Sequence, residues 1–193
     1  MVLLTVEKRV TCFTIFHIMN TVYTTTYESP FGTLLIGDYE EQLCLLDWKY
    51  RTRRLQVDER VCHFLSAKYV HQSTPLHQHT IQQLEEYFNK KRNDFDIPLL
   101  LAGSEFQQKV WQQLLQVPYG KTVSYLELSR QLGDEKAIRA VASANGANAI
   151  SIVVPCHRII GSKGELTGYA GGLPAKKKLL QLEGVQQQQE LFA

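Results

Sequence analysis

The chain predicts an α+β fold in two units: a small antiparallel sheet carrying a helix, then a mostly helical half that contains a helix-turn-helix. Three observations lead there. Short stretches rich in Thr, Tyr, Ile and Leu, separated by turn residues, fill Thr21 to Trp48. Capped amphipathic periodicities dominate from Ser104 onward. Ile97-Pro98 closes the first unit, and Leu101-Ala102-Gly103 reads as a linker. The expected boundaries are 1–22 for an N-terminal extension, 23–100 and 101–184 for the two domains, and 185–193 for a frayed tail with a Gln run.

Each element has a local reason. Thr21 to Tyr27 has the composition of a strand, Ser29-Pro30-Phe31-Gly32 that of a turn, and Thr33 to Ile36 and Leu43 to Trp48 are the next strands of a meander. Thr80 to Asn89 spaces Ile81, Leu84, Tyr87 and Phe88 on one helical face. Ser104-Glu105-Phe106-Gln107 is a capping box opening a helix to about Gln116, which Val117-Pro118-Tyr119-Gly120 breaks. Ser124-Tyr125-Leu126-Glu127 opens a second helix ending at Gly133, and Asp134 caps a third from about Lys136 to Asn145. The last two, joined by a tight turn, form the helix-turn-helix. Ile152 to Val154 reads as a strand, and Pro174 suits the first position of a final helix ending near Glu183.

Composition narrows the function classes. The 193 residues are 44% hydrophobic and 21% charged, as in ordinary globular proteins. No apolar run reaches the roughly 18 residues of a membrane span. Glu7, Lys8 and Arg9 interrupt the N-terminal apolar stretch, so no secretion signal is expected. Met19, just ahead of the first strand, is an alternative start that would make residues 1–18 an upstream artefact. Residues 1–100 carry 11 basic against 12 acidic side chains; residues 101–193 carry 10 against 7, so the basic excess sits in the second half. Four scattered cysteines (Cys12, Cys44, Cys62, Cys156) form no CxxC pair, which fits a reducing cytoplasm. Cys62, His63, His71, His77 and His79 match no zinc spacing, and no metal is expected.

The chemistry concentrates at Ile152-Val153-Val154-Pro155-Cys156-His157-Arg158-Ile159-Ile160. A cysteine held after a proline, with basic residues following, is the setting that favours a nucleophilic thiolate. Downstream come Gly161-Ser162-Lys163-Gly164, Thr167-Gly168-Tyr169-Ala170-Gly171-Gly172 and Leu179-Leu180-Gln181-Leu182-Glu183-Gly184. Upstream lie Val123-Ser124-Tyr125, Ile138-Arg139-Ala140-Val141-Ala142 and Asn145-Gly146-Ala147-Asn148.

This order and spacing, from about Ser104 to Gly184, resembles the O6-alkylguanine-DNA alkyltransferase family. Tyr27-Glu28-Ser29-Pro30-Phe31-Gly32 extends the likeness into the first domain. The resemblance implies a ribonuclease H-like N-terminal domain and a winged helix-turn-helix C-terminal domain. It implies single-turnover transfer of an alkyl group from O6-alkylguanine, and more weakly from O4-alkylthymine, to Cys156. It also implies a cytoplasmic, monomeric protein without a cofactor, acting on double-stranded DNA through the minor groove with the base flipped out.

Residue roles follow from the same resemblance. Cys156 is the acceptor, His157 its water-linked base, Glu183 the group orienting His157, and Asn148 a hydrogen-bonding partner near the sulfur. Tyr125 donates to the departing guanine. Arg139 fills the gap left by the flipped base, while Ala140, Ala144 and Ser124 meet the DNA backbone with Tyr125. Val154, Pro155, Tyr169, Ala170 and Gly171 wall the base pocket, and Arg158 binds carbonyls around the active-site loop. Read alone, His157 is equally a structural histidine, Tyr125 a core tyrosine and Glu183 a solvated helix end, and Lys176, Lys177 and Lys178 read as a solvated helix face. The competing functions are a lesion-binding module without transfer, against which Cys156 speaks, and a Cys-His hydrolase, which leaves Arg139 unexplained.

Overall fold

The computed structural model describes residues 19–185. The expectations for residues 1–18, and for the tail after Val185, lie outside them. Strands β1 (Asn20–Ser29), β2 (Gly32–Tyr39) and β3 (Gln42–Trp48) form the antiparallel meander, with Tyr27 opposite Leu34 and Ile36 opposite Leu46. β1 begins inside the stretch assigned above to an extension. Its first residue is tied down, because Asn20 donates its amide to Leu65 O and its backbone N–H to Ser66 O.

In the first half two elements went unanticipated: α1 (Arg54–Leu65) and β4 (Ala67–His71), which joins the sheet parallel to β1 to give the order β3-β2-β1-β4. In α1 the inward stripe is only Val57, Val61 and Leu65, while Leu55 and Phe64 face solvent and blur the period. The next helix, α2 (Pro75–Phe88), starts five residues before the expected Thr80. Thr74 caps it by accepting from His77 N–H, and His77 Nδ1 accepts from Thr74 N–H in return. Histidine stands where a capping box ordinarily carries Glu or Gln, which hid the signal.

The second half holds to its local signals more closely. Helix α3 (Glu105–Leu114) carries the full Ser104–Gln107 capping box. β5 (Val123–Ser124) leads into α4 (Tyr125–Gln131), then a 3₁₀ turn at Glu135–Ala137 and α5 (Ile138–Gly146). The strand expected at Ile152 to Val154 is absent. That segment is a buried turn closed by Val153 N–H to Ser151 O and Val154 N–H to Ile150 O, with Ile152 in the left-handed region at φ 73°. A short apolar run marks burial and does not distinguish strand from turn. Cys156–Arg158 form a 3₁₀ turn, β6 (Ile159–Ile160) pairs parallel with β5, and α6 (Gly172–Leu182) ends the described chain. Pro174 is the third residue of α6 instead of the first, still within the turn whose N–H groups lack helical partners. Lys176, expected on a solvated face, is fully buried and donates to Ile159 O and Thr167 O. No helix among the described residues is long and apolar enough to cross a membrane.

One core spans both halves. Leu34, Ile36 and Leu46 of the sheet pack in the same cluster as Leu84, Trp111, Leu114, Val141 and Leu179. The seam is sealed by backbone bonds: Leu46 N–H donates to Ala149 O at 2.8 Å, and Ser151 N–H to Leu46 O at 2.6 Å. Beside it, the fully buried Asp47 accepts from Trp48 N–H, Arg51, Arg54 and the Ser151 hydroxyl. Arg51 continues the clamp to Asn148 O and Gly146 O. Removing one partner of a buried ion cluster strands the others in a low-dielectric interior. Asp47→Ala is therefore expected to destabilise the protein by about 3–5 kcal/mol, measured as a drop in the urea midpoint at constant slope.

Candidate active site

Cys156 starts the 3₁₀ turn that follows Pro155, at the end of the Ile150–Val154 turn bonded to β3. Asn148 organises this turn. Its Nδ2 donates to Val154 O (2.9 Å) and Ile150 O (3.3 Å), and its Oδ1 accepts from Ile150 N–H (2.9 Å). Cys156 is 3% exposed. Burial pushes its thiol pKa up; Asn148, Lys176 and Arg51 pull the other way without overcoming it. The basic neighbours therefore do not make a resting thiolate, contrary to the expectation from sequence. The geometry explains why. Arg158 turns away and is neutralised by Glu183, and burial lowers the His157 pKa, so His157 is neutral at pH 7.

Glu183, at the end of α6, is the best-connected group of the site. Its Oε1 lies 2.8 Å from His157 Nε2 and accepts from Tyr87 Oη (2.8 Å) and Arg158 (3.0 Å). Its Oε2 accepts from Arg158 Nε (2.9 Å) and Gly120 N–H (3.2 Å). These donors outweigh burial and hold its pKa down to about 2. An ionised carboxylate only accepts, so Nε2 of neutral His157 bears the proton and Nδ1 keeps its lone pair. Nδ1 is buried and has no partner among the described residues. Gly120 sits at φ 70°, and a Cβ there would approach Glu183 O to 2.9 Å, so both conformation and space call for glycine. Arg158 donates further to Val117 O; the expected carbonyl contact is one of its bonds, and the carboxylate takes the others.

A cavity of about 550 Å³ opens on Cys156. Of the residues singled out from sequence, it brings together Cys156, Asn148, Tyr125, Arg139, Tyr169 and Ala170. Tyr125 accepts from Asn145 Nδ2 at 3.3 Å, and burial raises its pKa, keeping it a neutral phenol. Tyr169 packs edge-on to Trp48 and to the His157 ring. His157 and Glu183 stand behind the cavity wall, fully enclosed.

Several expected contacts do not line this cavity. Val154 is buried with its carbonyl taken by Asn148, and Pro155 is buried beside it. Gly171 lies against Trp48, where a Cβ would come within 2.5 Å of the indole, so its role is close packing. Ser124 spends its hydroxyl capping α4. Ala140, expected against the DNA backbone and not in the pocket, is exposed on α5. Ala144 is 2% exposed and its carbonyl accepts from Trp111 Nε1, so it faces the core and cannot meet a DNA backbone; Ala142 lines the cavity in its stead.

Other lining residues had no role assigned from sequence, among them Arg51, Thr52 and Arg53 from the N-terminal half, and Asn145 and Thr167. The basic run Arg51-Thr52-Arg53-Arg54 was the available signal for the first three. Asn145 Oδ1, Thr167 Oγ1 and Tyr169 Oη are buried without partners among the described residues, which leaves polar groups for a ligand. Among the described residues, no cluster of His, Cys, Asp or Glu is arranged to hold a metal. His77 is engaged with Asp38 (2.8 Å) and Thr74, and His79 lies near Gln83.

Comparison with known proteins places this geometry. Residues 22–101 match the ribonuclease-like domain, and residues 105–185 the DNA binding domain, of 6-O-methylguanine DNA methyltransferase. The methylated-DNA–protein-cysteine methyltransferase of Methanosarcina acetivorans is 39% identical over 163 residues, covering 84% of this chain and 99% of that protein. The constitutive enzyme of that name from Bacillus subtilis is 39% identical over 166 residues, covering 82% and 92%. The crystal structure of Mycobacterium tuberculosis OGT in complex with DNA superposes with a TM-score of 0.72 at 40% identity, over 84% of this chain and 92% of that one. With its cysteine, histidine and carboxylate assembled at the junction of the two matched domains, the chain belongs to the methylated-DNA–protein-cysteine methyltransferase family.

Proposed function

We propose that this protein repairs O6-methylguanine in DNA by moving the alkyl group to Cys156, once per molecule. The observation that carries the reading is the chain Glu183–His157 behind a buried Cys156 at the floor of a cavity. Glu183 fixes the histidine tautomer, so the lone pair on His157 Nδ1 takes the thiol proton through one bridging water. The sulfur attacks the alkyl carbon in line; the S–C bond forms as the C–O6 bond breaks, and its electron pair passes into the guanine. Tyr125, a neutral donor on the cavity wall, stabilises the charge developing there. The proton ends on the guanine, which is restored, and the net change is one thioether.

Burial assists this order of events. A thiol held protonated at rest does not react with stray electrophiles or metals, and it becomes nucleophilic as its proton leaves. The thioether lacks a good leaving group, and among the described residues no second thiol lines the cavity, so the product persists. The enclosed site requires the base to leave the duplex. Arg139, exposed on α5 beside the cavity mouth, suits the role of filling the gap; its planar cation stacks on bases. Entry from the minor groove, activity on O4-alkylthymine, a monomeric state and a cytoplasmic location complete the reading, on the strength of the family resemblance.

Intact mass with peptide mapping after mixing with a duplex containing one O6-methylguanine tests the proposal. One methyl group per chain on Cys156, abolished by Cys156→Ala, is expected; tight lesion binding without any mass gain would replace transfer with recognition alone. The transfer rate should be level from neutral pH upward and fall on acidification, because the proton acceptor is His157. Since its pKa is lowered, half-maximal rate should lie below 6.5, the ordinary histidine value. Glu183 stabilises the fold fully above its ordinary 4.5 and loses that effect as pH falls towards about 2, so its protonation follows the rate loss. Glu183→Gln should slow transfer about 100-fold in single-turnover assays; an unchanged rate would remove its orienting role. Arg139→Ala should slow repair of duplex far more than reaction with free O6-methylguanine, and equal losses would end the gap-filling assignment.

A further inference from the structure

The cavity lining has a charge that the transfer chemistry does not use. Among the described residues that line it, only Arg51, Arg53 and Arg139 are charged, and no carboxylate accompanies them. The arginines of the N-terminal run are disposed of differently. Arg51 is 8% exposed and committed to Asp47, Asn148 O and Gly146 O. Arg54 grips Asp58 at 2.6 and 2.9 Å and reaches Asp47. Arg53 is exposed, and among the described residues it makes no ion pair or side-chain hydrogen bond. Thr52 beside it is also exposed, with its hydroxyl available.

An uncommitted guanidinium on the wall of a cavity without carboxylates favours an anion, and phosphate matches its fork of donors. The transfer reaction supplies one. A nucleotide turned into the cavity brings the phosphates on either side of it to the mouth, because the backbone cannot follow the base inward. We propose that Arg53, helped by the Thr52 hydroxyl, holds a phosphate flanking the extrahelical nucleotide, so that the N-terminal half contributes directly to DNA binding. This rests on the alkyl-transfer reading above.

The test is the salt dependence of duplex binding, followed by fluorescence anisotropy with the full-length protein, on a duplex carrying O6-methylguanine and on its unmodified counterpart. Arg53→Ala should weaken binding of the modified duplex by about tenfold and reduce its slope of log Kd against log salt by about one, with a smaller effect on the unmodified duplex. Arg53→Lys should restore the slope, since the charge remains. An unchanged slope in Arg53→Ala would overturn the phosphate contact. Equal weakening of both duplexes would overturn its assignment to the flanking phosphate, making Arg53 a general backbone contact unrelated to the extrahelical nucleotide. If the wild-type protein neither binds the duplex nor gains an alkyl group, the parent reading fails. When the wild type does both, a failure in the variants concerns Arg53 alone.

Discussion

The ionised carboxylate of Glu183, sunk in the interior, is the constraint on which the site depends. Burying a charge is tolerable only when donors replace water, and here they arrive from separate segments. Tyr87 comes from α2, Gly120 from the turn after α3, and His157 and Arg158 from the turn that carries the nucleophile. Each donor thereby fixes the position of its own segment. The carboxylate that sets the proton on His157 also locks the last helix, the first domain and the nucleophile's turn into one arrangement.

The same enclosure decides the state of Cys156. Sequence neighbours suggested an electropositive cysteine, and the fold cancels that effect by pairing Arg158 and leaving His157 neutral. Burial is then the dominant influence on the thiol. A site that excludes water strengthens every remaining dipole, so a phenol and a lone pair on imidazole accomplish what a permanent positive charge would do near solvent. Lys176 follows the same logic: buried with two carbonyls, its pKa falls to about 8.

Legibility in the sequence followed the range of the interactions. The Ser104–Gln107 box was readable because it involves neighbours only. Asp134 does cap, but it caps the 3₁₀ turn Glu135–Ala137, and α5 starts at Ile138 without a side-chain cap, two residues later than expected. Helix α1 escaped because its three inward residues are diluted by exposed Leu55 and Phe64. The Ile152–Val154 run announced its burial but not its turn, which depends on Asn148 and on bonds to β3. The nucleophile and its histidine stood adjacent in a telling motif. Burial of Glu183 and Lys176 depends on how the halves meet, which no local pattern records; the basic run from Arg51 to Arg54 marked a charged segment but not its entry into the cavity.

The seam between the halves also bears on how such a chain can change over time. Asp47 of β3 is bonded to Ser151, Arg51 to the carbonyls of Gly146 and Asn148, and Tyr87 to Glu183. A C-terminal half joined to a foreign partner would bring an orphaned serine, two uncovered carbonyls and a carboxylate short of one donor. The two halves are therefore fitted to each other, and exchanging either at the linker for that of a distant relative leaves polar groups unpaired that neither half reveals by itself.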